Sequence, residues 1–192
     1  MKKIVLLSLS ILLSLPLFAQ FKAKMYFTSM GTNHVFTFYS SDAGYRYEFN
    51  EHGQEGVMIA KSGSSDIYIL MPQQKMAMKS SASNLMNMGN DPVASYQHSL
   101  DQGTSKVEGE ETINGIKCTR TGLWNKENPN QKMYTVWTSE KYDFPIKMIN
   151  HIDGSADGSV MELKDIESWT PTADSYEIPD GYQLMDMPGM TP

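Results

Sequence analysis

Side chains that could act as bases or nucleophiles are spread thinly along this sequence of 192 residues. Its four histidines, His34, His52, His98 and His151, lie in four separate segments, and none belongs to a recognised nucleophile or metal-binding motif. Nucleophilic catalysis by serine or cysteine needs a base that a third group orients, so isolated histidines do not predict it. The glycines fall singly at turns and form no phosphate-binding loop. The sequence therefore predicts a non-enzymatic protein that needs no cofactor.

The single cysteine, Cys118, is predicted to be a buried and unreactive core residue. It lies in a predicted strand between Lys117 and Thr119, on the face that it shares with Ile116. A reactive thiol needs a lowered pKa and exposure to solvent, which a mid-strand position does not favour. Since one cysteine cannot form an internal disulfide, cross-linking does not contribute to stability within the chain.

Methionine is unusually frequent, with fifteen residues, and six of them form three Met-x-Met pairs, Met76 with Met78, Met86 with Met88 and Met185 with Met187. Residues two apart on a strand share a face, so each pair could present two thioethers to a soft ion such as Cu(I). Methionine also fills irregular gaps in cores and lines adaptable apolar pockets. The sequence leaves a copper site and an apolar wall as alternatives.

The amino-terminal residues 1–19 are predicted to be a secretory signal peptide that is cut after Ala19. Lys2 and Lys3 precede an apolar run from Ile4 to Phe18, and small and polar residues follow it. The run is shorter than the ~20 apolar residues that a membrane span requires. The mature chain is therefore expected to lack a transmembrane segment and to be periplasmic or secreted.

The charge of the chain disfavours two classes of partner. The formal net charge is −6, and removal of Lys2 and Lys3 with the signal peptide makes it −8. An acidic surface repels nucleic acid and anionic membranes, while it favours solubility. No nucleic-acid partner is predicted.

Alternating apolar and polar residues predict a succession of short strands. Three strands are expected between Phe21 and Glu51, with Tyr45, Tyr47 and Phe49 facing one side of the third. Further strands follow at Val57–Lys61, Asp66–Met71 and Lys75–Lys79, and after residue 103 the strand pattern continues to Trp169.

Two local signals are stronger than the rest. Asn114-Gly115 predicts a tight hairpin, because both residues tolerate the positive φ of a type I′ turn. One amphipathic helix is predicted over Val93–Gln102, capped by Asp91, with Pro92 at its first position. A helix of this kind commonly covers an open end or face of a sheet.

These elements predict a mainly β protein, a curved antiparallel sheet or incomplete barrel of about ten strands with one or two covering helices. The signal peptide would be followed by a single β-rich domain at residues 20–184 and a flexible tail at residues 185–192.

Several short motifs at turns and strand ends carry a family resemblance: 68–76 (YILMPQQKM), 109–119 (GEETINGIKCT), 136–139 (VWTS), 144–147 (FPIK) and 176–182 (YEIPDGY). Together they resemble a group of exported bacterial proteins known only as a domain of unknown function, and the wider LolA/LolB-like superfamily of periplasmic lipoprotein carriers. The resemblance implies a curved, incomplete barrel around an acyl-binding cavity lidded by helices. This sequence departs from the carriers in having only one clearly predicted covering helix.

The leading functional hypothesis is an exported protein that holds a lipid or another hydrophobic ligand on the concave face of a half-barrel. One alternative is a periplasmic copper binder through Met76, Met78, Met86 and Met88, and another is a structural protein that contacts an envelope partner. The candidate ligand-lining residues are apolar and fall on predicted strands: Phe36, Phe38, Tyr45, Tyr47, Ile67, Ile69, Met76, Met78 and Trp137.

Overall fold

The computed structural model describes residues 20–29, 31–51, 53–81, 91–151 and 158–186. The predicted signal peptide, the Met86 and Met88 pair, and residues 187–192 of the predicted tail lie outside these ranges. Within them the chain is mostly β, with 64% of residues in strands and a single α-helix, which confirms the predicted fold class.

Twelve strands form one sheet that is not closed into a barrel. A short 3-10 turn at Pro72–Gln74 separates β5 from β6, and helix α1 spans Pro92–Leu100. The strands are β1 (Phe21–Ser29), β2 (Thr32–Ser41), β3 (Gly44–Glu51), β4 (Gln54–Lys61), β5 (Asp66–Met71), β6 (Met76–Ser81), β7 (Gly103–Ile113), β8 (Ile116–Asn125), β9 (Lys132–Ser139), β10 (Phe144–Asn150), β11 (Val160–Ser168) and β12 (Gln183–Asp186).

Two antiparallel meanders make up the sheet. Strands β1 to β6 pair in sequence order, strands β7 to β11 do the same, and the β1–β11 pairing joins the two meanders. The order across the sheet is β12-β6-β5-β4-β3-β2-β1-β11-β10-β9-β8-β7. The sheet edges are therefore β12 and β7.

Strand β12 departs from the predicted antiparallel pattern, because it pairs with β6 in parallel, with Gln183 opposite Met76 and Asp186 opposite Lys79. Residues 185 and 186, which the sequence assigned to the tail, lie in this strand. Parallel neighbours need a long connection, and here the whole second meander separates β6 from β12 along the chain. Such a pairing cannot be read from local turn signals.

The sheet curves strongly around the face that carries Phe38, which we call the inner face. In the sheet order β2 and β10 are three strand spacings apart, which would be about 14 Å in a flat sheet. The ring centroids of Phe38 on β2 and Phe144 on β10 are only 5.1 Å apart. Register shifts in the β1–β11, β7–β8, β8–β9 and β9–β10 pairings contribute to this curvature, because bulges bend and twist a strand.

The turn at Asn114-Gly115 has the predicted geometry and a second role. Both residues have positive φ, 49° and 78°, as a type I′ turn requires. The Asn114 side chain also donates to the carbonyl of Leu163 at 3.0 Å and to a carboxylate oxygen of Glu162 at 2.9 Å. These two bonds tie the tip of the β7–β8 hairpin to β11.

Side chains fill most of the inner face. Phe21, Phe38 and Leu163 are fully buried, and Tyr47 is 3% exposed. Cys118 is 1% exposed, as predicted, and burial raises the pKa of its thiol.

A second, smaller cluster covers the outer face of β4 to β6. The segment between β11 and β12 crosses this face and places Tyr176 against Ile59, Leu70 and Ala77. The Tyr176 hydroxyl donates to the Gly44 carbonyl at 3.1 Å. This segment, residues 169–182, thus crosses the outer face and leads into β12.

We expect Gly56→Ala to destabilise the fold by about 1–3 kcal/mol, the usual cost of overpacking. The aromatic ring of Phe49, which lies opposite on β3, would come within 2.1 Å of the new Cβ. In a Phe49→Ala background the ring is absent, so the same substitution should stabilise the strand by about 0.5 kcal/mol. Urea unfolding of the wild type, the two single variants and the double variant measures both changes in unfolding free energy. An equal change on Gly56→Ala in the two backgrounds would contradict the packing argument.

Candidate functional site

Helix α1 begins where the sequence predicted, at the Asp91 cap. The Asp91 carboxylate accepts hydrogen bonds from the backbone N–H groups of Val93 and Ala94, each at 3.0 Å, and Pro92 occupies the first position. The predicted cap is therefore confirmed. The helix ends at Leu100, two residues before the predicted end at Gln102.

The same carboxylate also fixes the helix to the sheet. The hydroxyls of Tyr45 and Tyr47, both on β3, donate to Asp91 at 2.8 and 2.6 Å. Asp91 is fully buried, so its four donors replace the water that a carboxylate would otherwise bind. This arrangement holds the first turn of α1 over the inner face of β3.

Burial dominates the proton equilibria of this cluster. It raises the pKa of Asp91 above the usual range, although the four hydrogen bonds oppose the rise. Burial and the Asp91 charge together raise the pKa of Tyr45 and of Tyr47. Both phenols therefore remain protonated donors at neutral pH.

A cleft of about 520 Å³ lies between α1 and the ends of β3, β4 and β5. Its apolar lining comes from Tyr45, Ala60, Ile67 and Ala94, whereas its rim is polar. The rim residues are Lys61, Ser62, Ser64, Ser65, Gln97 and His98. An apolar floor with a few polar groups at the mouth is typical of sites for small ligands.

A smaller cavity of about 280 Å³ lies on the other side of Tyr45. It shares Gly44, Tyr45, Ser62 and Gln97 with the cleft, and it reaches Tyr142 and Phe144 at the start of β10. The two cavities therefore flank one side chain of the sheet, Tyr45, and one of the helix, Gln97.

Only two of the residues that the sequence grouped as a ligand wall border the cleft. Tyr45 and Ile67 line it while they also pack in the main hydrophobic cluster of the inner face. Phe36, Phe38, Tyr47 and Ile69 belong to the main hydrophobic cluster of the inner face, where Phe38 and Tyr47 are buried against other aromatic rings. The strand pattern correctly placed these residues on one face, but it could not distinguish a packed part of that face from an open one.

Trp137 is 7% exposed and also belongs to the main hydrophobic cluster, although it does not border the cleft. On β9 it pairs with Arg120 and Lys147, whereas the adjacent Val136 pairs with Met148 of the inner face, so the two side chains point to opposite sides of the strand. Its indole N–H donates to Glu111 at 2.7 Å, and the Lys147 amine lies 5.3 Å from a Trp137 ring centroid.

Met76 and Met78 share the inner face of β6, as expected for residues two apart. Met78 lies opposite Ile69 and Met76 lies opposite Met71 on β5. Both side chains are half-buried. Met86 and Met88, the other predicted pair, fall outside the described residues.

Several cleft residues carried no signal in the sequence. Ala60 and Ala94 have small apolar side chains, and residues 62–65 (SGSS) resemble an ordinary turn. Gln97 stands on the exposed side of a short helix. Only their arrangement around one cavity identifies them.

Among the residues that the structure describes, no group of three or more His, Cys, Asp or Glu side chains is arranged to hold a metal ion. The helix found in these ranges is too short and too polar to cross a membrane.

Comparison of the sequence with known families finds no matching family profile. An uncharacterized protein from Methanocaldococcus jannaschii is 29% identical over 120 residues, which cover 61% of this chain and 33% of that protein. The chain thus spans about a third of the length of this curated relative.

Solved structures are similar over most of the chain. An uncharacterized conserved protein from Thermus thermophilus matches with a TM-score of 0.60 at 9% identity, covering 88% of this chain and 91% of that one. A LolA superfamily protein from Nitrosomonas europaea matches with a TM-score of 0.41 at 12% identity, covering 84% and 91%. A DUF1329 family protein from Desulfovibrio piger matches with a TM-score of 0.41 at 14% identity, covering 84% and 90%. At these identities the similarity concerns the fold alone.

We expect Asp91→Ala to destabilise the protein by about 3 kcal/mol or more, because it leaves several buried donors without an acceptor. Asp91→Asn should cost less than about 1 kcal/mol, since its carbonyl oxygen can accept from Tyr47 and the helix N–H groups. Urea unfolding at pH 7 compares the two variants. Equal losses of unfolding free energy in the two variants would show that the charge of Asp91, rather than its acceptor geometry, holds the helix.

The raised pKa of Asp91 predicts a pH dependence with a definite sign. The folded state holds this proton more tightly than the unfolded chain, so ionisation costs stability as the pH rises above about 3.9, the unfolded value, and through the folded pKa. The wild type should therefore lose stability relative to Asp91→Asn over this interval. At higher pH the difference in unfolding free energy between the two proteins should stay constant. Unfolding free energies of both proteins between pH 3.5 and 8 measure the difference, and a gap that widens towards low pH in favour of the variant would contradict it.

Proposed function

We propose that this protein is an exported binding protein whose cleft under α1 holds a lipid or another small hydrophobic ligand. The observation that carries the proposal is the 520 Å³ cleft, with its floor of Tyr45, Ala60, Ile67 and Ala94. Ligand pockets in proteins commonly measure 300–1,000 Å³. The predicted signal peptide and the resemblance to periplasmic carriers support an envelope or secreted location.

The cleft is suited to an apolar chain with a polar end. Each methylene that it buries contributes about 0.8 kcal/mol, so a chain of modest length would bind without many directed contacts. At the rim, Lys61 is held in an ion pair with Glu177 at 2.7 Å, and a ring nitrogen of His98 lies 3.3 Å from the Gln102 amide. The serine hydroxyls and Gln97 then provide neutral hydrogen-bonding groups for the polar end.

The packing of the inner face limits where the ligand lies. Phe38 and Tyr47 have ring centroids 5.3 Å apart and are at most 3% exposed, so the centre of the half-barrel is already filled by side chains. The proposed ligand therefore occupies the open end of the inner face beside α1.

Native mass spectrometry of the mature protein, followed by organic extraction, tests whether a ligand is bound. We expect an extractable lipid or acyl compound at no more than one copy per chain. A protein that is free of ligand and also fails to bind a fluorescent fatty acid at micromolar concentration would contradict the proposal.

We expect Gln97→Trp to weaken binding of that fluorescent fatty acid at least tenfold, because Gln97 borders both cavities and an indole there would fill the mouth. Leu100→Trp is the matched control, since Leu100 is 40% exposed on the same helix and borders neither cavity. Equal affinities of the two variants would place the ligand elsewhere.

A further inference from the structure

Four methionines meet on the inner face at the β12 edge of the sheet. Met71 on β5 lies directly opposite Met76 on β6, and Met78 on β6 lies directly opposite Met185 on β12. Directly paired residues share a face, as do residues two apart on one strand, so all four side chains point to the same side. We call this group the methionine patch.

Core packing does not account for the patch. Met71, Met76 and Met78 are half-buried, Met185 is 39% exposed, and none of them belongs to either hydrophobic cluster. Methionines that do fill the core are at most 7% exposed: Met25, Met58, Met148 and Met161. The protein therefore uses methionine in two separate environments, and only one of them is accessible to solvent.

Among the residues that the structure describes on β5, β6 and β12, no carboxylate shares the face of the patch. The carboxylate of Asp66 pairs with Lys79, and Asp186 also lies opposite Lys79, so both acids belong to the other face of the sheet. Gln183, opposite Met76, adds a neutral amide. Thioethers select soft ions such as Cu(I), whereas Mg²⁺ and Ca²⁺ require oxygen ligands.

The spacing of the patch suits a single ion. Adjacent strands are about 4.8 Å apart and residues two apart on a strand about 6.7 Å, which puts the Cα atoms of Met71 and Met185 each about 6 Å from the midpoint between Met76 and Met78. Methionine is unbranched and has three rotatable bonds, so its sulfur can turn towards that midpoint from either neighbouring strand. The concave curvature of the inner face brings the outer two side chains closer still.

We infer that Met71, Met76, Met78 and Met185 bind one Cu(I) ion through their thioether sulfurs. Of these four residues, the sequence predicted Met76 and Met78 as copper ligands, together with Met86 and Met88, which lie outside the described residues. Strand register adds Met71, which belongs to no Met-x-Met pair, and Met185, which is distant from Met78 along the chain.

The methionine patch is independent of the proposed ligand cleft. Ile67, at the cleft, precedes Met71 by four residues on β5, which corresponds to about 13 Å along a strand. Cu(I) binding and fatty-acid binding can therefore be tested separately on the same protein.

Anaerobic titration of the mature protein with Cu(I), in competition with a chromogenic Cu(I) chelator, tests the assignment. A Cys118→Ala background removes the one thiol from consideration. We expect saturation at one Cu(I) per chain. Met76→Leu/Met78→Leu should weaken the affinity at least tenfold, while the matched core variant Met148→Leu/Met161→Leu should leave it unchanged, since leucine preserves side-chain volume in both.

Ag(I), a redox-stable soft ion, identifies the ligands directly. With methyl-labelled methionine, NMR should show shifts of the Met71, Met76, Met78 and Met185 methyl signals on addition of Ag(I), and no shifts for Met25, Met148 and Met161. Gln97→Trp should retain full Cu(I) affinity. Retention of Cu(I) affinity by Met76→Leu/Met78→Leu, or Ag(I) shifts confined to other methionines, would overturn the assignment.

Discussion

The buried carboxylate of Asp91 is the interaction on which the arrangement of the inner face depends. It caps the helix through two backbone N–H groups and, at the same time, accepts from two tyrosines of β3. A single residue thus sets where the helix starts and which strand it covers. Because a buried carboxylate without donors would be strongly unfavourable, the four bonds have to form together. The cleft exists because α1 is held in this position beside the ends of β4 and β5.

Curvature decides which parts of the inner face are filled. The sheet bends at its register shifts, and the Asn114 contacts tie the β7–β8 hairpin to β11, so that side chains of β2 and β10 meet across the interior. Aromatic side chains occupy that centre. Towards β5, β6 and β12 the same face has fewer opposing strands, so its side chains remain partly accessible. The cleft and the methionine patch lie at the two ends of this more open region.

The two ends differ in chemistry. Serine hydroxyls and an amide surround the apolar cleft, whereas the patch offers thioethers. The opposite edge of the sheet, β7, is different again, since it carries Lys106, Glu108, Glu110 and Glu111 and a bulge at Glu108. Charges and bulges of this kind discourage an exposed edge from pairing with other chains. The half-open region near β6 is therefore the more suitable surface for binding.

Local patterns in the sequence determined the class of fold, the helix cap at Asp91, the turn at Asn114-Gly115 and the burial of Cys118, because each depends on backbone preferences or periodicity within a few residues. The same periodicity placed Tyr45, Ile67 and Met76 on one face. Tertiary structure alone decided that Phe38 is packed while Ile67 also borders a cleft, and that β12 brings Met185 beside Met78. These outcomes depend on sheet curvature and on pairing between strands that are distant along the chain. Neither can be predicted from a pattern within a few residues.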